Sequence, residues 1–388
     1  MIPLLKYQNM NWVDGMKVSK DHFIALENAL LDSIRDSYAF GIKDYNYGLL
    51  PPVMGEKTSL DIEILKTGGE NLFVRLNSCR AITPGGCRIE LTPNKIKSLN
   101  LKAQVESKFE TGKFETGTYE VILKVNPFNR IPVGNPDPDE IPPRHPYSSF
   151  EHKLWVLPSE QVNPNDLGEY YLTLARINFK GGEWLIDNTF IPSCTSVNSS
   201  GILIGAYKTL GTQLGEIESS SLKIIQKIIS KNQKAPLSEN VKFLCERLSF
   251  LISQLFFTYK TVSYQVPPIF LCDIFVKVAN NFRLVLMQMP EKEKEDMLNY
   301  FNEWTDIIPS SFEKMVSSVT DLDYDHNNIA ASINPILQFV SLVASLMTKL
   351  STLEFIGKHK EKDLFVRETR VDQDQSDKKK KPWRPMLD

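Results

Sequence analysis

Net charge of either sign is missing from this 388-residue chain: 45 Lys and Arg face 47 Asp and Glu, a formal charge of -2. A body balanced in this way has no electrostatic footprint for nucleic acid. Cysteine is scarce. Cys79, Cys87, Cys194, Cys245 and Cys272 are odd in number, scattered and without C-x-x-C spacing, which argues against a disulfide framework and for a reducing compartment. The opening MIPLLKYQNMNW has no basic region followed by an apolar stretch of signal-peptide length. A membrane span needs about 20 predominantly apolar residues. The most apolar long segment, 329–350, is interrupted by Asn334, Pro335, Gln338, Ser341 and Ser345 and reads as a buried helix. A soluble, intracellular protein is expected.

Catalytic signatures are missing as well. There is no G-x-S-x-G, no phosphate-binding loop, no G-x-G-x-x-G and no H-E-x-x-H. Asp321, Asp323 and Asp325 resemble the start of a calcium loop, but the positions that need Gly and Glu hold His326 and Ser332. A polar inter-helix loop is the expectation there. His145 and His152 lie near Asp137, Asp139 and Glu140, yet their irregular spacing in a Pro-rich stretch favours a solvated loop over a metal cage. Cys79 and Cys87 flank a turn at Pro84-Gly85-Gly86 and are placed to face each other across a hairpin as small buried side chains. No catalytic residue, cofactor or metal is expected. The remaining enzyme alternative is a glycan-acting β-sandwich, which would need two carboxylates across a cleft.

What is present is core material: 42% hydrophobic and 10% aromatic residues in a length that suits two or three packed units. Ser19 can cap a helix to about Tyr38, in which Phe23, Leu26, Leu30 and Ile34 recur at amphipathic spacing. Short runs follow: LDIEILK, LFVRL, CRIEL, YEVILKV, KLWVL, YYLTLARI and EWLID. Thr67-Gly68-Gly69, Pro84-Gly85-Gly86 and Lys180-Gly181-Gly182 punctuate them. That pattern predicts a β-sandwich-like domain, with the Pro-rich 134–146 as an exposed loop. From Gly201 the period becomes helical. Leu203, Leu210, Ile217 and Ile224 are seven apart, and Tyr207, Leu214, Ser221 and Ile228 form a companion row. Such rows suit either one helix of a bundle or an oligomer seam. Further helices are expected from Ser238, from about Ile269, from Glu291, from Ser310 with Glu313 at capping-box spacing, and after Pro335. The fold class expected is α+β and multidomain. It comprises a β-sandwich-like shell with an N-terminal helix (1–200), a helical bundle (201–309), C-terminal helices (310–357) and a disordered basic tail (358–388). In that tail Lys378, Lys379, Lys380, Lys381 and Trp383 are candidates for docking an acidic partner, anionic lipid or nucleic acid, against the usual reading of a solvated tail.

One resemblance organises these features. Trp12, Gly15, Met16, His22 and Phe23 match in type and spacing the opening of TssK proteins, baseplate subunits of the type VI secretion system. Asp14 stands where the family has Glu, and Lys20 and Asp21 where it has Pro and Gln. Gly41-Ile42, the Leu185–Pro192 stretch and Gln265-Val266-Pro267-Pro268 are fainter echoes. The resemblance implies a non-catalytic homotrimer. Its β shell grips a TssF–TssG wedge at the cytoplasmic face of the bacterial inner membrane, and a C-terminal head docks to the membrane complex. After about Leu350 this chain has room only for a short tail, so head docking is not carried over. A phage-tail adaptor of the same ancestry is the alternative. Read without the resemblance, Gly15 suits a tight turn, Trp12, Met16 and Phe23 supply apolar contact area, and His22 is a hydrogen-bonding structural group.

Overall fold

A computed structural model describes residues 4–67, 71–110 and 114–358. Helix α1 (Lys20–Ala39) precedes two antiparallel sheets. In the first, β3 (Asn71–Ile82) pairs with every other strand: β1 (Gly48–Leu49), β2 (Leu60–Thr67), β4 (Arg88–Leu91) and β5 (Glu106–Glu110). Its alternation puts Leu72, Val74 and Leu76 in the core, as a half-buried strand requires. Two short helices, α2 (Pro93–Ser98) and α3 (Lys102–Val105), lie between β4 and β5. The second sheet has the order β7-β6-β8-β9, from β6 (Gly117–Val133), β7 (Tyr147–Pro158), β8 (Tyr171–Lys180) and β9 (Glu183–Ile186). A short helix, α4 (Pro164–Leu167), precedes β8. Lys180 pairs with Glu183, so Gly181 and Gly182 alone close the β8–β9 hairpin, both with positive φ. That is the requirement of the tight turn favoured between twisted strands. The Pro-rich 134–146 is the loop between β6 and β7.

The helical half comprises α5 (Gly201–Ser230), α6 (Pro236–Thr261), α7 (Pro268–Gln288), α8 (Glu291–Thr305), α9 (Pro309–Thr320) and α10 (Ile329–Thr352). Helix α5 packs on α6 and on α10. Gly211 permits the close approach of α5 to α6, because a Cβ there would sit 2.8 Å from the Tyr259 ring. Tyr207 and Tyr259 stack across the same contact at 4.7 Å. The described residues up to 357 form one compact unit with a main hydrophobic core that includes residues of both the sheets and the helices, and a small second cluster of Ile122, Leu167 and Tyr171. Within this unit the chain changes from strands to helices near residue 200.

Three local expectations are corrected. Helix α9 starts at Pro309 with Ile308 as its cap residue and no side-chain cap bond, so Ser310 and Glu313 form no capping box. Glu313 pairs with Lys294 instead, at 3.2 Å. Helix α10 starts before Pro335 rather than after it. Proline there removes one backbone donor, while Ile329, Ile333 and Ile336 on the buried side hold the first turns in place. By length and composition α10 is apolar enough to cross a membrane, but here Ile336, Val340, Val343, Met347 and Leu350 pack inside the bundle. Finally, Cys79 lies opposite Leu91 while Cys87 bonds Thr83, so the two thiols do not face each other.

Candidate docking surface

Helix α1 turns its polar side inward. Its buried residues are Asn28, Ala29, Asp32, Arg35 and Ala39. Asp32 is fully buried and holds the N-terminal segment. One carboxylate oxygen accepts the backbone N–H groups of Lys6 and Tyr7, and the other accepts Nε and Nη2 of Arg35 at 3.0 and 2.7 Å. Arg35 Nη2 also donates to the Leu4 carbonyl. Burial by itself would raise the Asp32 pKa. The guanidinium and the two backbone donors outweigh it and hold the carboxyl below the ordinary carboxylate value. Asn28 accepts from Arg130 of β6 at 2.9 Å. The N-terminal segment and α1 are thus fixed by charge and hydrogen bonds.

The apolar side of α1 is left outside. Phe23, Leu30, Ile34 and Tyr38 are 51–60% exposed, so the amphipathic pattern marks a surface, not the usual core-facing stripe. The opening motif continues it. Gly15 adopts φ +77° in a turn closed by the Met16 N–H on the Val13 carbonyl. Trp12, itself half exposed, lies 6.3 Å from the His22 ring and 6.5 Å from Phe23. His22 Nδ1 accepts the Ser19 N–H at 3.1 Å, a helix-capping contact with no catalytic partner. Beside α1 an apolar cleft of about 250 Å³ is lined by Leu31, Ile34, Tyr38, Cys87, Phe128 and Phe150, among others. Burial pushes the Cys87 thiol up to about 12, which removes it as a nucleophile at neutral pH.

Other candidates do not assemble into chemistry. His145 bonds the Gly134 carbonyl, while His152 is buried in β7 beside Gln104, its pKa lowered to about 4 by burial. Glu140 is paired with Arg144. The Asp321–Asp325 loop joins α9 to α10. Asp325 caps the Asn327 N–H, and Asp321 reaches Arg283 at 3.5 Å. His326 bonds the Tyr47 carbonyl at 2.8 Å and ties this loop to the strand region. Among the described residues no group of three or more His, Cys, Asp or Glu could hold a metal ion. A polar cleft does bring Glu120 and Asp325 to one lining. Glu120, however, already accepts from Thr173 at 3.1 Å and Arg176 at 3.0 Å. Both of its carboxylate oxygens are thus taken by partners within the chain.

The α5 rows are corrected as an oligomer seam. Leu203, Leu210, Leu214, Ile217, Ile224 and Ile228 are all buried against the same chain, with at most 1% exposed, and Tyr207 is stacked on Tyr259. Side chains consumed by their own bundle are not available to a second copy. Gly68, Gly69 and the tail candidates Lys378, Lys379, Lys380, Lys381 and Trp383 lie outside the described residues. The Asp32–Arg35 clamp was not identified from sequence. Its only signal there is an Asp and an Arg three apart on the polar side of an amphipathic helix.

No family profile and no curated protein matches this chain. Solved structures do. A TssK crystal structure aligns over 87% of this chain and 69% of its own, with TM-score 0.52 and 14% identity. A chain of the type VI secretion system baseplate complex aligns over 87% and 69%, with TM-score 0.50 and 12% identity. A chain of a TssK-TssF-TssG baseplate subcomplex aligns over 87% and 99%, with TM-score 0.48 and 13% identity. The class is an α+β chain in which two antiparallel sheets lead into a helical bundle. Within that class the fold is TssK-like.

Proposed function

We propose that this chain is a structural, non-catalytic baseplate subunit of a type VI secretion system, assembled as a homotrimer. In this reading the strand region and α1 grip a wedge of TssF- and TssG-like proteins, and the assembly links that wedge to the membrane-anchored complex. It works in the bacterial cytoplasm at the inner face of the inner membrane. The observation that carries the reading is the inverted helix α1, whose apolar residues Phe23, Leu30, Ile34 and Tyr38 face outward. A contiguous exposed apolar surface on a folded protein marks an interaction site. The TssK-like fold and the matching opening motif say which kind of partner to test. The fold's affinity for protein surfaces, rather than any reaction, is its output.

The test replaces Phe23, Leu30 and Ile34 together by Ser in the full chain. Exposed substitutions usually change stability by about 0.5 kcal/mol or less each, so the variant should fold normally. The expected result is loss of co-purification with the TssF- and TssG-like proteins and loss of secretion. A folded variant that still binds the wedge and secretes would sink the reading. Capsid and portal genes beside this one would favour a phage tail instead.

A further inference from the structure

The polar cleft that holds Glu120 and Asp325 lies where the second sheet meets the helical half, and its volume is about 250 Å³. One side comes from β6 and β8, the other from the loop that joins α9 to α10. Tyr171 of β8 is only 5% exposed, yet its hydroxyl makes no hydrogen bond among the described residues. A buried polar group is normally partnered. Asn328, at the start of α10, makes no cap bond with its side chain. Asn327 accepts the Tyr47 and Ser193 hydroxyls on Oδ1 at 2.9 and 3.3 Å, which leaves its amide N–H groups. Asp325 uses one carboxylate oxygen for the Asn327 backbone N–H at 2.9 Å and keeps the other. We propose that this cleft binds a small neutral polyhydroxylated molecule of monosaccharide size, held between β8 and the α9–α10 loop.

The lining chooses the chemistry. Glu120 and Arg176 cancel each other's charge at 3.0 Å, so the uncancelled charge in the cleft is that of Asp325. An anion would meet it unscreened by any partner cation. A cation would answer Asp325 but leave the donors idle. Those donors are the two amides and the Tyr171 phenol. Burial, reinforced by Tyr47, Glu120 and Asp325 nearby, pushes the Tyr171 hydroxyl up to about 12, so it stays a neutral O–H. Hydroxyl groups both donate and accept, and several on one small frame satisfy the amides, the phenol and the carboxylate together. Val162, also in the lining, supplies an apolar wall for the ligand's C–H face. The volume is just below the range of about 300–1,000 Å³ typical of sites for drug-sized ligands, which sets the size. A molecule of about twelve non-hydrogen atoms at the low end of ligand efficiency binds with a Kd of about 1 mM. Once bound it would tie β8 to the loop that His326 and Asn327 already fasten to Tyr47, and so stiffen the joint between sheet and bundle. This site is separate from the outward side of α1 and does not rest on the wedge reading.

The experiment uses the full chain, followed by calorimetric titration and thermal melts. The probes are D-glucose, D-galactose, D-mannose, myo-inositol and glycerol, with putrescine and acetate as cationic and anionic controls, each at about ten times the expected Kd. At least one polyol should give a saturable heat and raise the melting temperature by about 3 °C, and the two charged probes should do neither. Tyr171→Phe removes only the unpartnered hydroxyl, so it should melt like the parent without ligand and bind at least about tenfold more weakly. Asp325→Asn keeps the oxygen that caps Asn327 and should weaken binding to a similar extent. The Phe23, Leu30 and Ile34 triple variant should bind the polyol like the parent, which keeps this test apart from that of the wedge contact. Silence from all five polyols overturns the proposal. So does binding that is unchanged in both Tyr171→Phe and Asp325→Asn, and so does a response to putrescine or acetate with none to the polyols.

Discussion

Replacing Leu214 by Ala separates a core helix from an oligomer seam. Leu214 lies on α5 and is fully buried where that helix packs on α6 and α10. Truncating a buried leucine costs about 2–5 kcal/mol, the transfer loss plus the cavity left behind. A side chain with no exposed surface, on a helix packed against two others, belongs in the middle of that range. For a unit of this size each kcal/mol moves the melting temperature by roughly 2 °C, so a fall of several degrees is expected. The control is Leu222→Ala on the same helix. Leu222 is 47% exposed, and its truncation should cost well under 1 kcal/mol. Both proteins are followed by circular dichroism melts and urea titration, and their masses by light scattering. The expected outcome is a destabilised Leu214→Ala protein of unchanged oligomeric state. A variant that melts like the parent but dissociates would refute the packing of α5 described above.

Three further outcomes follow from named contacts. His152 is held neutral, its pKa lowered by burial from 6.5 to about 4. The unfolded chain therefore binds a proton that the folded chain refuses, and stability falls as pH drops from 6.5 towards 4, by about 3 kcal/mol at 1.36 kcal/mol per unit. His152→Gln should flatten that slope, read as the urea midpoint at pH 7 and pH 4.5, and an unaltered slope would count against the burial. Asp32→Asn leaves the Arg35 guanidinium buried without its counter-charge, a loss of about 3–5 kcal/mol in comparable pairs, and should expose Lys6 to trypsin. Since the Asp32 carboxyl titrates below its ordinary 3.8, its stabilisation is present at all pH values above that and is lost as pH falls below it. Gly211→Val should destabilise the α5–α6 contact because its Cβ meets the Tyr259 ring at 2.8 Å, seen as a lower melting temperature, whereas Gly215→Ala, with open space around it, should melt like the parent or higher.

Much of the fold was legible because period and punctuation are local signals. The seven strand-like runs correspond to seven of the nine strands among the described residues, and α1 and α5 to α8 begin within about two residues of their expected starts. The strands that were missed lack the signal: β1 is only Gly48 and Leu49, and β5 is ESKFE, polar on most positions. Both are held by pairing to β3 rather than by their own composition. The surfaces were not legible, for one physical reason. Periodicity shows that apolar side chains share a face but not what that face meets. The α5 rows and the row of Phe243, Phe250 and Phe257 on α6 have the same seven-residue repeat, yet one is interior and the other outward. Only the long-range packing of α5 between α6 and α10 separates them.

Helix α1 carries that ambiguity to its sharpest point. Full burial of a large apolar side chain stabilises by about 1.5–3 kcal/mol, so turning Phe23, Leu30, Ile34 and Tyr38 inward would be the default for an amphipathic helix. The chain instead commits the inward side to Asp32, Arg35 and Asn28, each with specific partners on the N-terminal segment or on Arg130. A buried charged pair is a weak source of net stability, because desolvation offsets most of its attraction, but it tolerates little misorientation. Its effect here is to fix the rotation of α1 about its own axis, with the apolar side turned out. The burial forgone on folding remains available to whatever covers that side, which is the physical requirement of an adaptor surface.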